Sequence, residues 1–131
     1  MSKTDTTPQQ ALNWFEIPVR DLDRAQRFYE TLLNRPLKRE AMGPDMPMAT
    51  FPYAPGTGVG GCLVGGPSAA RPSGDGTVVY LNAEPSLNLV LARLPEAGGK
   101  LLVPRTELPD GMGAFAVLED SEGNRVGVHA K

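Results

Sequence analysis

Alternation marks the first ordered stretch. From Leu12 to Val19, the residues Leu12, Trp14, Glu16 and Pro18 fall on one side and Phe15, Ile17 and Val19 on the other, which predicts a strand. The period then changes. Leu22, Ala25, Phe28, Tyr29, Leu32 and Leu33 recur at helical spacing behind Asp21, a residue suited to capping a helix start. Asn34 and Pro36 end that stripe. Short strands are expected at Pro36–Glu40, Met48–Tyr53 and Val59–Val64, with turn-rich chain at Met42–Asp45 and Pro55–Gly58.

The order then repeats. Gly65–Gly76 is rich in Gly, Pro, Ser and Ala and reads as a linker. Beyond it, Thr77–Ala83 is a β-rich run, and Ser86 starts a helix with Leu87, Val90, Leu91 and Leu94 on one face. Pro95 predicts an irregular close after Leu94, and Gly98-Gly99 a stop. Strands follow at Leu101–Thr106, Ala114–Glu119 and Asn124–His129, the last two joined by an Asp120–Gly123 turn.

The fold class is therefore α+β: two tandem βαβββ modules, each a curled mixed four-stranded sheet with one helix. We place the modules at 11–65 and 76–131 of a single domain, the linker at 66–75, and a disordered terminus at 1–10. One such unit buries too little apolar surface to stand alone, so two must share a core. Two curled sheets side by side leave a concave trough, a natural place for a small molecule.

Composition narrows the choice. At 131 residues and 40% hydrophobic, the chain suits one packed domain. A net charge of −2 gives no electrostatic reason to expect nucleic acid or an anionic membrane surface as partner. No stretch approaches the roughly 20 apolar residues of a membrane span. Residues 1–10 lack an apolar signal core, and one cysteine permits no internal disulfide, so a cytoplasmic location is expected.

Ile17-Pro-Val-Arg-Asp-Leu-Asp-Arg-Ala25 running into Phe28-Tyr29-Glu30 resembles the vicinal oxygen chelate superfamily, which includes glyoxalase I, bleomycin-resistance proteins and extradiol dioxygenases. Glu96–Lys100 and Glu119–Arg125 extend the resemblance to about residues 11–130. In metal-dependent members, four side chains from four strands hold a divalent ion that polarises substrate oxygens. Those positions fall here at Trp14, at Cys62 or Gly61, at Val78 and at Gly127. Trp14, Val78 and Gly127 carry no ligating group. The resemblance thus implies no metal at this site and no cofactor. It also implies a binding protein, or an enzyme that works with side chains alone.

Strand alternation puts Glu16 beside Trp14, Tyr80 and Asn82 beside Val78, and Arg125 and His129 beside Gly127. Glu16 is either a general base or substrate acceptor, or half of a structural ion pair, for example with Arg125, or a residue whose strand register puts it in water. His129, the single histidine, is either an acid/base group or a structural terminal residue. Arg125 either grips an anionic group or pairs with Glu119 or Glu122. Trp14 and Tyr80 either stack on a flat ligand or plug the trough. Cys62 lacks basic neighbours and reads as a small buried thiol, though it shares the trough as a contact candidate. Gly58–Gly61 lacks the lysine and helix of a phosphate loop and points to close backbone packing. The acids of Asp21-Leu-Asp-Arg24 and those near Glu119 are expected to be solvated or in turns, with Asp120 serving its own turn. Met42–Pro47 and Pro55–Gly58 could form a lid.

The expected protein is a glyoxalase/bleomycin-resistance-like homodimer binding a small organic molecule without a metal. One alternative is a metal-dependent lyase, isomerase or dioxygenase with relocated ligands from Glu16, Cys62 and His129. The other is a non-catalytic interaction module.

Overall fold

The computed structural model describes residues 6–41 and 43–131. Of the terminus expected to be disordered, residues 1–5 lie outside the described residues; 6–10 are exposed and form no helix or strand. Of the two lid segments expected, Met42 lies outside the described residues too.

Two modules are present. The first runs β1 (Trp14–Pro18), α1 (Leu22–Leu33), β2 (Lys38–Ala41), β3 (Pro47–Thr50) and β4 (Gly60–Val64). The second runs β5 (Tyr80–Asn82), α2 (Leu87–Ala97), β6 (Lys100–Glu107), β7 (Ala114–Glu119) and β8 (Arg125–Ala130). Each forms a four-stranded mixed sheet, ordered β1-β4-β3-β2 and β5-β8-β7-β6. The first strand of each module pairs in parallel with the last, and the remaining pairs are antiparallel.

Several strands are shorter than expected. Leu12 and Val19 fall outside β1, β3 ends at Thr50 rather than Tyr53, and β5 keeps three residues of the Thr77–Ala83 run. At these ends the chain pairs on less of its length, although Val19 N–H still donates to the Val64 carbonyl and Phe51 N–H to that of Gly61. The second helix departs the other way. It continues through Pro95 to Ala97 instead of closing after Leu94. Proline costs little here because it lies in the last turn on an exposed face, and Gly98 and Gly99 N–H groups satisfy the Leu94 and Pro95 carbonyls.

Asp21 caps α1 as its sequence predicts, accepting from Arg24 N–H at 3.0 Å. The two helices pack on each other, and one core runs through both modules: Ile17, Phe28, Tyr29 and Leu32 join Leu81, Leu87, Leu118 and Val128. Sharing a core in this way removes the instability of a single unit.

Polar groups fix the relative placement of the modules. Glu122, from the β7–β8 turn, accepts from the backbone N–H of Arg20 (2.9 Å) and Asp21 (3.0 Å). It also accepts from Arg24 Nε (2.7 Å) and Nη2 (3.0 Å). In the same turn, Asn124 Nδ2 donates to the Pro18 carbonyl at 2.8 Å, and Tyr29 Oη donates to Asp120 Oδ2 at 2.6 Å. Asp120 also serves its turn, with Oδ1 accepting from the N–H of Glu122 and Asn124. The expectation that Glu122 and Arg24 are merely solvated is corrected: the Glu122 side chain is fully buried and carries the contact between modules. Burial alone would raise this carboxyl. The donors of Arg24, Asp21, Arg20 and Ser121 outweigh burial and hold it near 2. Burial and the Asp120 carboxylate push the Tyr29 phenol well above its ordinary value.

Because the folded Glu122 value of about 2 lies below its ordinary 4.5, its contribution is full above 4.5 and is lost as pH falls toward 2. Urea unfolding is expected to show a loss on the order of 2–3 kcal/mol across that window. In Glu122→Gln most of that acid dependence should vanish. Glu122→Ala should cost about 2–4 kcal/mol at neutral pH, because it leaves buried donors unpaired.

Candidate functional site

The sheet faces turned away from the helices carry the candidate site. On the first sheet, Trp14, Glu16 and Cys62 share that face. Glu16 lies opposite Cys62 and Trp14 opposite Gly60. On the second, Tyr80 lies opposite Gly127 and Asn82 opposite His129, with Arg125 two residues before Gly127. Strand alternation thus gathers all seven sequence candidates on the expected face.

Register settles one alternative. Gly61 faces the helix side, where the Phe15 ring leaves no room for a Cβ, so Cys62 is the residue on the trough face. There it is fully buried with Met48 and Val64 under Met46 and Ala69, its Sγ 3.8 Å from Met48 Sδ. Burial pushes its thiol up to about 11. The Glu16 carboxylate adds to the shift and the Trp14 side chain opposes it. This is an inert thiol rather than a poised nucleophile.

Glycines let aromatic rings lie against the sheets. A Cβ at Gly127 would overlap the Tyr80 ring, and one at Gly60 would overlap the Tyr53 ring. Trp14 meets Tyr53 edge-on, with centroids 6.0 Å apart, and Tyr80 meets Phe115 edge-on at 5.9 Å. Trp14, Tyr53 and Tyr80 remain 39%, 41% and 54% exposed, so these rings line open space and do not plug it. A crevice of about 680 Å³ runs between the start of β1 and β5, lined by Leu12, Phe15, Tyr53, Gly60, Val78 and Tyr80 among others. Beyond Tyr80 it meets a second cavity of about 580 Å³, walled by Asn82, Leu108, Phe115, His129 and Lys131.

The polar candidates differ in their freedom. Asn82 Oδ1 accepts from Glu84 N–H at 2.8 Å and shapes the turn before α2. His129 Nε2 lies 2.7 Å from the Met112 carbonyl. A neutral ring must carry its proton on Nε2 to make that bond, which leaves Nδ1 as an acceptor. Arg125 is exposed and makes no ion pair with Glu16, Glu119 or Glu122 among the described residues. The partner offered to it by sequence, Glu122, belongs to Arg24 instead. Glu16 is exposed as well, with no salt bridge among the described residues.

A divalent ion does not fit the positions that the fold reserves for one. Trp14, Val78 and Gly127 offer no donor atom, and the remaining residue is the buried thiol of Cys62. Nor do Glu16, Cys62 and His129 converge elsewhere: among the described residues, no three His, Cys, Asp or Glu side chains are placed to share a metal.

Sequence reasoning missed three contributors. Sequence gives Tyr53 as the end of a strand, Phe115 as an ordinary strand residue and Arg71 as linker. The structure puts Tyr53 in the crevice wall, Phe115 in the cavity beyond Tyr80 and Arg71 beside Arg125 in a third opening. The Gly58–Gly61 cluster was the available signal for Tyr53, since closely packed glycine predicts something lying on it. Nothing in the order of residues marked the other two.

Comparison with known proteins agrees with this fold. A glyoxalase/bleomycin-resistance protein from Streptomyces sp. CB03234 superposes with a TM-score of 0.66 at 21% identity, over 92% of this chain and all of that one. A glyoxylase/bleomycin resistance protein/dioxygenase domain from Frankia sp. EAN1pec gives 0.67 at 21%, over 93% and 98%. A glyoxalase I variant from Zea mays gives 0.65 at 22%, over 89% of this chain and 45% of that longer one. No curated protein sequence matches. The family model of the Glyoxalase/Bleomycin resistance protein/Dioxygenase superfamily matches residues 11–128, and the chain belongs to that superfamily.

Proposed function

We propose that this protein binds a small, flat organic molecule in the crevice between β1 and β5, without a metal. The observation that carries this reading is the pair of ring platforms. Tyr53 and Tyr80 line the crevice, Tyr53 meeting Trp14 of the adjoining cleft edge-on and Tyr80 meeting Phe115 of the adjoining cavity. Exposed aromatic faces around a cavity of that size offer stacking to a planar guest. Where the resemblance puts metal donors, this chain places Trp14, the buried thiol of Cys62, Val78 and Gly127.

Catalysis, if the site performs it, rests on proton transfer by side chains. Glu16 is an exposed carboxylate with no salt bridge among the described residues, in the adjoining cleft, and His129, in the cavity beyond Tyr80, keeps Nδ1 as an acceptor. Asn82 in the crevice wall and Arg125 in the adjoining cleft are the remaining polar groups. A homodimer belongs to the same reading, supported by Leu89 on α2 and Leu101 and Leu102 on β6, which are 54%, 48% and 41% exposed. Among the described residues no helix is long and apolar enough to cross a membrane.

Trp14 is the single tryptophan, so its indole N–H gives one isolated NMR resonance. Titration with uncharged 2-naphthol is expected to move that resonance saturably; absence of a saturable shift would remove the binding reading. Trp14→Ala and Tyr80→Ala should each weaken the complex roughly tenfold by calorimetry.

Gly127→Ala provides a separate check. Its new methyl group would drive the Tyr80 ring off the sheet, and naphthol binding should fall by about tenfold or more. The melting temperature should move little, because the displaced ring is exposed. For any substrate found to turn over, Glu16→Gln is expected to abolish turnover and spare binding. If it changes affinity alone, the site only binds.

A further inference from the structure

A third opening runs along β1 and adjoins the crevice, sharing Leu12, Phe15, Thr77 and Val79 with it. It encloses about 400 Å³, with Trp14, Glu16 and Val79 in its wall together with Arg71 and Arg125. Arg71 comes from the segment between modules, and Arg125 from the start of β8. Arg24, Arg35, Arg39, Arg93 and Arg105 each hold a protein oxygen. Among the described residues, Arg71 and Arg125 hold none; Arg20 and Arg27 hold none either but do not line this opening.

The segment bearing Arg71 is tied down beside the cleft. Ser73 N–H donates to Asn124 Oδ1 at 3.1 Å, and the Asn124 amide also bonds the Pro18 carbonyl at the end of β1. One asparagine therefore fixes the β1 end, the turn leading into β8 and the linker around a single opening. Two guanidiniums and one carboxylate face it, an excess of one positive charge over an apolar wall.

We propose that this cleft binds a small planar monoanion, an aromatic carboxylate. Its ring lies along Trp14 and Val79, and its carboxylate lies between Arg71 and Arg125. Guanidinium groups suit that head, since each offers two parallel donors to a carboxylate. Glu16 turns away a dianion and accepts from a ring hydroxyl or amine. The inference rests on the reading of the trough as a small-molecule site, and it adds the charge of the guest and the residues that select it.

The test uses 2-naphthoate and its uncharged amide, with the Trp14 indole resonance as readout. Naphthoate is expected to bind at least tenfold more tightly than the amide, and the difference should shrink as salt rises. Arg71→Gln and Arg125→Gln should each weaken naphthoate about tenfold and remove most of its advantage over the amide. Arg71 is exposed on the linker, so a melting curve matching the parent confirms that its variant is folded. Equal affinity for acid and amide, or an Arg71→Gln protein that binds naphthoate as the parent does, overturns the proposal. If 2-naphthol binds but naphthoate shows no preference, only the anion subsite fails. If neither compound binds, the small-molecule reading fails with it.

Discussion

A buried carboxylate, that of Glu122, ties the two halves of this molecule to each other. Glu122 reaches from the second module to the start of α1 in the first, where it takes the N–H of the cap residue Asp21 and the guanidinium of Arg24. In a capping box, a glutamate three residues past the cap accepts that same cap N–H. Here the third position is Arg24, and a glutamate about a hundred residues away supplies the missing acceptor. The positive end of the helix favours the negative charge, and the folded carboxyl value near 2 records how strongly the donors hold it. Asp120 and Asn124, from the same turn, bond Tyr29 and Pro18. One five-residue turn thereby anchors β1, α1 and the linker.

That anchoring sets the shape of the site. β1 and β5 do not pair, so the space between the two sheets stays open and its width depends on how the modules are locked. Apolar packing between α1 and α2 stabilises the assembly but is tolerant of small sliding, because area burial is not directional. Buried hydrogen bonds with donors on three separate elements are not tolerant. The Arg71–Arg125 cleft can keep fixed walls because Asn124 of the polar turn is part of its lining.

The ordering of elements was legible in the chain because local signals agreed: alternation, then an amphipathic stripe, then glycine or proline punctuation, twice over. The trough-facing set, Trp14, Glu16, Cys62, Tyr80, Asn82, Arg125 and His129, followed from alternation once the strands were placed. Their partners did not follow. Arg125 had two acids nearby in sequence and pairs with neither, since Glu122 points back across the module boundary to Arg24. Strand ends at Leu12, Tyr53 and Thr77 were over-extended because β propensity does not report where a neighbouring strand stops. Pro95 was expected to end its helix, yet a last-turn position and the Gly98–Gly99 cap make it harmless.

By itself the sequence determined the two-module order, the face of each strand and the lack of metal donors at Trp14, Val78 and Gly127. These are properties of residue type and of periods of 2 and 3.6, which short windows contain in full. Tertiary structure alone decided that Glu122 is a buried lock, that Tyr53 and Tyr80 lie on glycines, and that Arg71 joins Arg125 at one cleft. Each of those depends on residues separated by at least seven and as many as a hundred positions. Only the packed chain brings such residues within reach, and no local pattern encodes their meeting.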